Sequence, residues 1–508
     1  MRRLRILLAG LAIVAGVIPT VSGAAQSPAA ARGVQSDTVT CASTARERRE
    51  CPANTSGGVA LLESTGAAPC LLGKSWGYSD TGIWVADGCS GEFLVGQAAS
   101  AQAATQPAPK ESPEYIPNLG FKLYSSDKGQ IYMRLFSYSR FLNQKSLDAT
   151  YTDFFGNTTS LQRREDIELN KFFLPFSGWF LSPKLKYYLY VWSANTGQGD
   201  PAQVVGAGNL SYVFTNSLTL GTGITSLPAV RSTEGQFPYW LGVDDRLTSD
   251  EFFRGSYTTG VWIKGALAPK VNYTAMLGNN LSQLGVSAAQ LDNHLQTLSF
   301  MLNWLPTTGE FGYLGTFGDY DYHEHVATRL GAHYTQSIED RQEQPGTNSI
   351  ENSQIRLTDG SIIFTPDLFG PGDTVENVHY HMTSVDAGVK YKGFALEVEH
   401  YWRTLSQING TNVGWIANIH DHGWQAQLSA MPMKKILQTY VSGAAIKGRY
   451  GDASEVRVGA SWYIREMRGL RVNGEWLHLD DCPVGYTAVP YPVGGNGNVF
   501  HLDFELNF

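Results

Sequence analysis

The chain of 508 residues balances 38 basic residues against 46 acidic ones, with 17% charged and 12% aromatic residues. A net charge of −8 excludes a nucleic-acid binder, which needs a basic patch or stripe. No apolar run reaches the ~20 residues of a spanning helix, which excludes a helical membrane protein.

The start, MRRLRILLAGLAIVAGVIPTVSGAAQS, places Arg2, Arg3 and Arg5 before an apolar run at 7–18 and a small-residue exit at Ser22, Gly23, Ala24 and Ala25. This order predicts a secretory signal peptide over 1–24. Its removal leaves 35 basic residues against 46 acidic ones in an exported chain.

Four cysteines, Cys41, Cys51, Cys70 and Cys89, then crowd into one segment, while Cys482 stands alone. In an exported chain the four predict two disulfides, in one of three pairings. Zinc is the rival, but no Cys-x-x-Cys spacing occurs and no His lies nearby. Residues 36–97 are thus expected to form a small β-rich disulfide module. The stretch 98–117, AASAQAATQPAPKESPEYIP, has the composition of an extended linker.

From 118 to 508 the chain becomes rich in Tyr, Trp, Phe and Gly, with segments of strict alternation. SEVRVGASWYI (454–464) sets Val456, Val458, Ala460 and Trp462 against Glu455, Arg457 and Ser461. GLRVNGEWLHL (469–479) sets Leu470, Val472 and Trp476 against Arg471, Asn473 and Glu475. A soluble β-sandwich also alternates. Segment lengths near the 9–11 residues of a tilted spanning strand, aromatics near segment ends and a charged second face favour a transmembrane barrel. Sixteen strands are expected, starting near 129, 161, 184, 203, 217, 256, 270, 294, 325, 377, 393, 422, 435, 454, 468 and 498. Tight turns and long loops then segregate by parity, except for a long eighth connection at 306–324. The chain ends FHLDFELNF: Phe500, Leu502, Phe504, Leu506 and Phe508 share one face, with His501, Asp503 and Glu505 on the other. A last strand of this kind is expected to pair with the first and leave no free edge.

The ending resembles the signal read by the outer-membrane barrel assembly machinery, which implies a contact through Phe508. LQRREDIELNKFFLPFSGW (161–179), KYYLYVWS (186–193), LTLGTGITSLPAVRS (218–232) and DEFFR (250–254) resemble the phosphate- and pyrophosphate-selective porin family of Gram-negative bacteria. The resemblance implies a sixteen-stranded trimeric porin whose third loop enters the bore. The run from Cys70, Cys-Leu-Leu-Gly-x-x-Trp-Gly, with Gly-Ile-Trp-Val and Gly-Cys after it, resembles a small four-cysteine bacterial domain of unestablished function. Trp76, Tyr78 and Trp84 there suit core packing better than stacking on cell-wall sugar, since so small a domain needs large residues inside.

If 228–255 lines the constriction, its charges set selectivity. They are Arg231, Arg246 and Arg254 against Glu234, Asp244, Asp245, Asp250 and Glu251. The expected lumenal strand charges are also mixed: Arg134, Arg329, Lys390, Arg403, Arg457 and Arg471 against Asp386, Glu397, Glu399, Glu455, Glu475, Asp503 and Glu505. This departs from a basic ladder and favours a general diffusion channel. Three His-x-His pairs (His323/His325, His379/His381, His420/His422) have the spacing of a metal pair on a strand, but without further ligands no metal is expected. No Gly-x-Ser-x-Gly or cofactor motif occurs, so no enzyme and no cofactor are expected. The reading is therefore an outer-membrane channel for small hydrophilic solutes or ions, with the anion or phosphate type as what the family resemblance implies. It faces lipid and lipopolysaccharide, forms a homotrimer and carries a periplasmic N-terminal module. The alternative is a structural tether that reaches the cell wall through that module.

Overall fold

A computed structural model describes residues 37–56, 58–95, 114–116, 118–194, 203–234, 239–283, 294–342, 350, 352–485 and 489–508. The expected signal peptide and most of the expected linker lie outside them. The chain divides into two compact units, Met1–Ser112 and Pro113–Phe508.

The first unit holds β1 (Asp37–Ala42), β2 (Arg48–Pro52), β3 (Val59–Ser64), β4 (Trp76–Ser79), β5 (Gly82–Ala86) and β6 (Ser90–Val95). They form two three-stranded antiparallel sheets, β1-β6-β3 and β2-β5-β4. Of the three pairings open to the four cysteines, the fold selects Cys41–Cys51 and Cys70–Cys89. A unit this small buries little apolar surface, so the crosslinks supplement a core of Val59, Trp76, Ile83, Val85 and Phe93. Trp76 packs in that core against Phe93, at 4.9 Å between ring centroids. Trp84 lies under the Arg48 guanidinium at 4.1 Å, and Tyr78 is exposed. Cys482, in the second unit, is free and buried. Alkylation of unreduced protein is therefore expected to give no adduct when folded and one, at Cys482, when unfolded. Mass spectrometry checks this, and a second adduct refutes the pairing.

The second unit begins with a small antiparallel ribbon, β7 (Glu114–Ile116), β8 (Gly120–Ser126) and β9 (Gly129–Met133). The ring proper starts with β10 (Phe136–Leu147), and a short hairpin, β11 (Thr150–Thr152) and β12 (Thr158–Ser160), follows it. Then come β13 (Glu165–Phe180), β14 (Ser182–Ala194), β15 (Gln203–Thr215), β16 (Leu218–Ser226), β17 (Tyr257–Ala268), β18 (Val271–Gly278) and β19 (Thr297–Trp304). The second half is β20 (Ala327–Asp340), β21 (Thr374–Tyr391), β22 (Phe394–Thr411), β23 (Ile419–Met433), β24 (Leu437–Gly448), β25 (Gly451–Tyr463), β26 (Leu470–Cys482) and β27 (Gly495–Asn507).

β10 and β13 to β27 pair in sequence, and β27 returns to β10 from Phe136↔Asn507 to Leu147↔Gly497. The result is a closed antiparallel barrel of sixteen strands. Closure extends to the last residue: Phe508 N–H donates to the Leu135 carbonyl at 2.9 Å. Below β10 the wall is continued by β9, which pairs with β13 from Phe176↔Met133 to Phe180↔Gly129. The alternation of β27 falls as a closed barrel demands, since period-2 side chains reach opposite faces. Phe500, Leu502 and Phe504 face outward, while His501, Asp503 and Glu505 are buried within.

The two ends differ. One has tight turns at 181, 216–217, 269–270, 392–393 and 434–436. The other has long connections at 148–164, 227–256, 341–373 and 483–494. Two connections break this order. The eighth, 305–326, is long at the turn end, as expected from sequence. The thirteenth, Arg449 and Tyr450, is a two-residue hairpin at the loop end, which the parity argument did not anticipate.

The expectation of a wet, charged lumen needs correction. Toward the loop end the inward positions become apolar, and they pack on the inserted connections. Val378, Tyr380, Leu405, Ile419, Leu477 and Leu479 join Phe252 and Phe253 from 227–256 and Ile355, Leu357, Ile363 and Phe364 from 341–373 in one buried cluster. The pattern inverts because a strand outside the membrane obeys the rule of a soluble protein, apolar within and polar without.

Candidate functional site: the barrel interior

The connection 227–256 enters the barrel and crosses it. It carries a 3-10 turn at Arg231–Thr233 and a short helix, α1 (Thr248–Phe253). Its charged residues each meet a partner. Arg231 Nη2 lies 2.7 Å from Glu397, and its backbone N–H donates to Glu399 at 3.0 Å. Asp244 accepts from Lys171 at 2.6 Å and Asn170 at 3.0 Å, on β13. Asp245 takes Arg457 at 2.5 Å, on β25 across the barrel. Arg246 pairs with Asp250 at 3.2 Å, and Arg254 with Glu251 at 2.7 Å. Glu234 pairs with Arg329 and, at 3.7 Å, with Arg231.

Of the thirteen lumenal charges expected from sequence, Arg134, Arg329, Lys390, Glu397, Glu399, Arg403, Arg457 and Arg471 all point inward, and all of these but Arg134, which lies between β9 and β10, are buried. Arg403 pairs with Asp421 at 2.6 Å and stacks over Phe252 at 4.1 Å. Arg471 pairs with Glu505 at 2.7 Å and donates to the carbonyls of Leu241 and Gly242. Arg140 pairs with Asp503 at 2.6 Å and holds the Val243 carbonyl at 2.7 Å. A buried charge without such a partner would cost several kcal/mol. The wall charges thus act as clamps for the inserted connection. Asp245, Glu475 and His501 come close enough to suggest a metal cage, but Arg457 already occupies both carboxylates.

The eighth connection enters from the opposite end. Phe317 N–H donates to the Tyr239 carbonyl at 2.9 Å, Gly318 N–H to Glu397 at 3.1 Å, and Lys390 Nζ to the Phe311 carbonyl at 2.9 Å. Gly318 has φ +70°, and a Cβ there would collide with the Gln438 amide. Outside the wall strands, His323 donates to the Asp319 carboxylate and lies 3.0 Å from Glu310. The Asp319 bond lifts the imidazole above its ordinary pKa, against the opposing effect of burial. A raised folded-state pKa stabilises fully below the unfolded value and is lost as pH rises through the folded value. The stability advantage over His323→Gln is therefore expected to be largest below about pH 6 and to vanish in alkali, as thermal unfolding at several pH values will show. An advantage independent of pH refutes the pairing.

Between these inserts and the wall of β13–β19, space remains. A cavity of about 390 Å³ is lined by Arg134, Lys186, Asn209, Ser211, Thr225, Lys264 and Tyr313, among others. A second, of about 410 Å³, shares Glu234, Lys264 and Thr274 with it and reaches Arg329. Among the described residues Glu234 is the one carboxylate lining either cavity, and Arg329 and Arg231 already neutralise it. Arg134 donates to Asn507 at 2.7 Å and Tyr239 at 3.1 Å, both neutral. Lys186 on β14 and Lys264 on β17 line the first cavity, and Lys264 lines the second as well. Sequence reasoning passed over both lysines. Their signal was there: Lys186 shares the face of Tyr188, Tyr190 and Trp192, and Lys264 that of Trp262.

A family described as "Protein of unknown function (DUF3011)" matches residues 24–113. No curated protein matches the chain. Among solved structures, the chain is similar to OmpT of Vibrio cholerae at 12% identity and TM-score 0.46, over 76% of this chain and 99% of that one. It is similar to an anion-selective porin from Comamonas acidovorans at 10% identity and TM-score 0.44, over 75% and 100%. The outer-membrane channel DcaP of Acinetobacter baumannii follows at 9% identity and TM-score 0.46, over 76% and 99%. Likeness at this level settles neither solute nor assembly.

Proposed function

We propose that the protein is an outer-membrane channel for passive diffusion of small hydrophilic anions, phosphate among them. It is oriented with the long connections outward and the N-terminal module in the periplasm. One observation carries this reading: the space left beside the inserts is lined by Arg134, Lys186 and Lys264, and by no carboxylate that is not already paired. In a narrow space with low-dielectric walls, uncompensated positive charge concentrates anions and excludes cations. The phosphate-selective porin resemblance of 161–254 is in keeping with such a basic lining. Assembly as a homotrimer, export by the signal peptide and recognition of Phe508 by the assembly machinery belong to the same reading.

Planar-bilayer recording tests it. The wild type is expected to conduct with an anion-favouring reversal potential in a salt gradient, and Lys186→Gln/Lys264→Gln to move that potential toward cations. An unchanged potential refutes this route. The deep insertion of 227–256 and 305–326 also favours a second reading, a closed barrel that tethers the membrane to the cell wall. Absence of conductance would favour it. Deleting 36–97 is expected to leave conductance intact, and its loss in a barrel that still assembles would make the module part of the pore.

A further inference from the structure

The outer wall carries a feature that the channel does not use. On β21, β22 and β23, five imidazoles face outward: His379, His381, His400, His420 and His422. The register places them in successive cross-strand rows, each about 7 Å from the next along the strand. The row Ala387↔Val398↔Ala426 is wholly apolar. Next toward the loop end comes Val385↔His400↔Trp424, then Thr383↔Trp402↔His422↔Lys447, then His381↔Thr404↔His420, and last His379↔Ser406. At the level of the last two rows the inward neighbours Val378, Tyr380, Leu405 and Ile419 are buried and apolar. The inversion of the pattern marks where the wall leaves the hydrocarbon. The histidines lie at that line, interleaved with Trp402 and Trp424, residues of the kind that anchor a barrel at the headgroup level.

We infer that this histidine band is a docking surface for the phosphate groups of lipids in the leaflet at the loop end. The inference rests on the membrane orientation proposed above. Among the described residues, no three ligand atoms of the band come together as a metal site requires, whereas donors are plentiful. Tyr334 holds His381 Nδ1 at 3.2 Å and Thr404 holds His420 Nδ1 at 3.1 Å, so Nε2 is the second ring nitrogen that each imidazole can offer. His400 and His422 stack at 6.2 Å between centroids, a spacing that two imidazoles can bridge with one phosphate. A protonated imidazole attracts phosphate by charge as well as by hydrogen bonding, so the band is expected to hold phosphate more strongly as the pH falls. The other ionisable groups facing it are Tyr334 and Asp340 on β20, Glu376 on β21 and Lys447 on β24, the last paired with Asp452 at 2.6 Å.

The test uses the full chain, folded into phosphatidylcholine vesicles with or without phosphatidic acid, and counts lipids retained per barrel by native mass spectrometry. Retention of phosphatidic acid is expected to be several-fold greater at about pH 5.5 than at about pH 8. The His381→Gln/His400→Gln/His420→Gln/His422→Gln variant is expected to lose that difference. If the fourfold variant does not insert, the pairs His381/His420 and His400/His422 are replaced separately. Retention that is independent of pH or unchanged in the variants overturns the inference, as does tight binding of zinc to the band. Failure to insert into phosphatidylcholine alone would instead overturn the membrane reading, so the two failures are distinct.

Discussion

Arg457→Ala is expected to lower the barrel's stability by about 3–5 kcal/mol, the cost of breaking a buried ion pair from one side. Arg457 lies 2.5 Å from Asp245, 2.7 Å from Glu455 and 3.2 Å from Glu475, and it holds the Arg246 carbonyl at 2.7 Å. All four charged groups are buried. Removing the guanidinium leaves three carboxylates facing one another in a dry interior, with the His501 imidazole 3.4 Å from Asp245 and 3.2 Å from Glu475. The loss should therefore exceed by far that of an exposed pair such as Lys434–Glu324, worth at most about 1 kcal/mol. Denaturant unfolding in detergent measures both. Equal losses for Arg457→Ala and Lys434→Ala would mean that water reaches the cluster.

The triple replacement Arg231→Ala/Arg246→Ala/Arg254→Ala is expected to raise single-channel conductance several-fold and to turn selectivity toward cations. Sequence reasoning predicts the cation shift alone, because it treats the three arginines as charges facing the passing ion. The structure places them elsewhere. Arg231 is clamped to Glu397, Arg246 to Asp250, and Arg254 to Glu251. Their loss strands carboxylates that cannot stay dry, and the least costly relief is for 227–256 to leave the wall and admit water. The bore then widens where acid now predominates. Conductance and reversal potential in a planar bilayer report the two effects separately. A shift in potential without a rise in conductance would place these arginines at the surface of an open constriction after all.

The sequence by itself determined the wall. Fifteen of the sixteen strands begin within four residues of their expected starts, because a side chain that alternates with period 2 between lipid and interior leaves its pattern in every segment; the first, expected near 129, begins at Phe136, after the ribbon strand β9. The closing pair of β10 and β27 was legible in nine terminal residues for the same reason, and two disulfides in four crowded cysteines. The interior was not legible. Which charges meet water depends on which connections enter the barrel, and that is fixed by pairings between residues far apart in the chain. Arg457 and Asp245 are 212 positions apart, and Arg140 and Asp503 are 363 apart. Alternation tells that Arg457 faces inward but is silent on what stands opposite. Only the tertiary structure decided that the arginines of 227–256 are clamps, that Lys186 and Lys264 are the charges left facing open space, and that the outer wall turns polar at His400. Local periodicity encodes a side chain's direction, whereas ion pairing and desolvation are properties of the neighbours that folding brings to it.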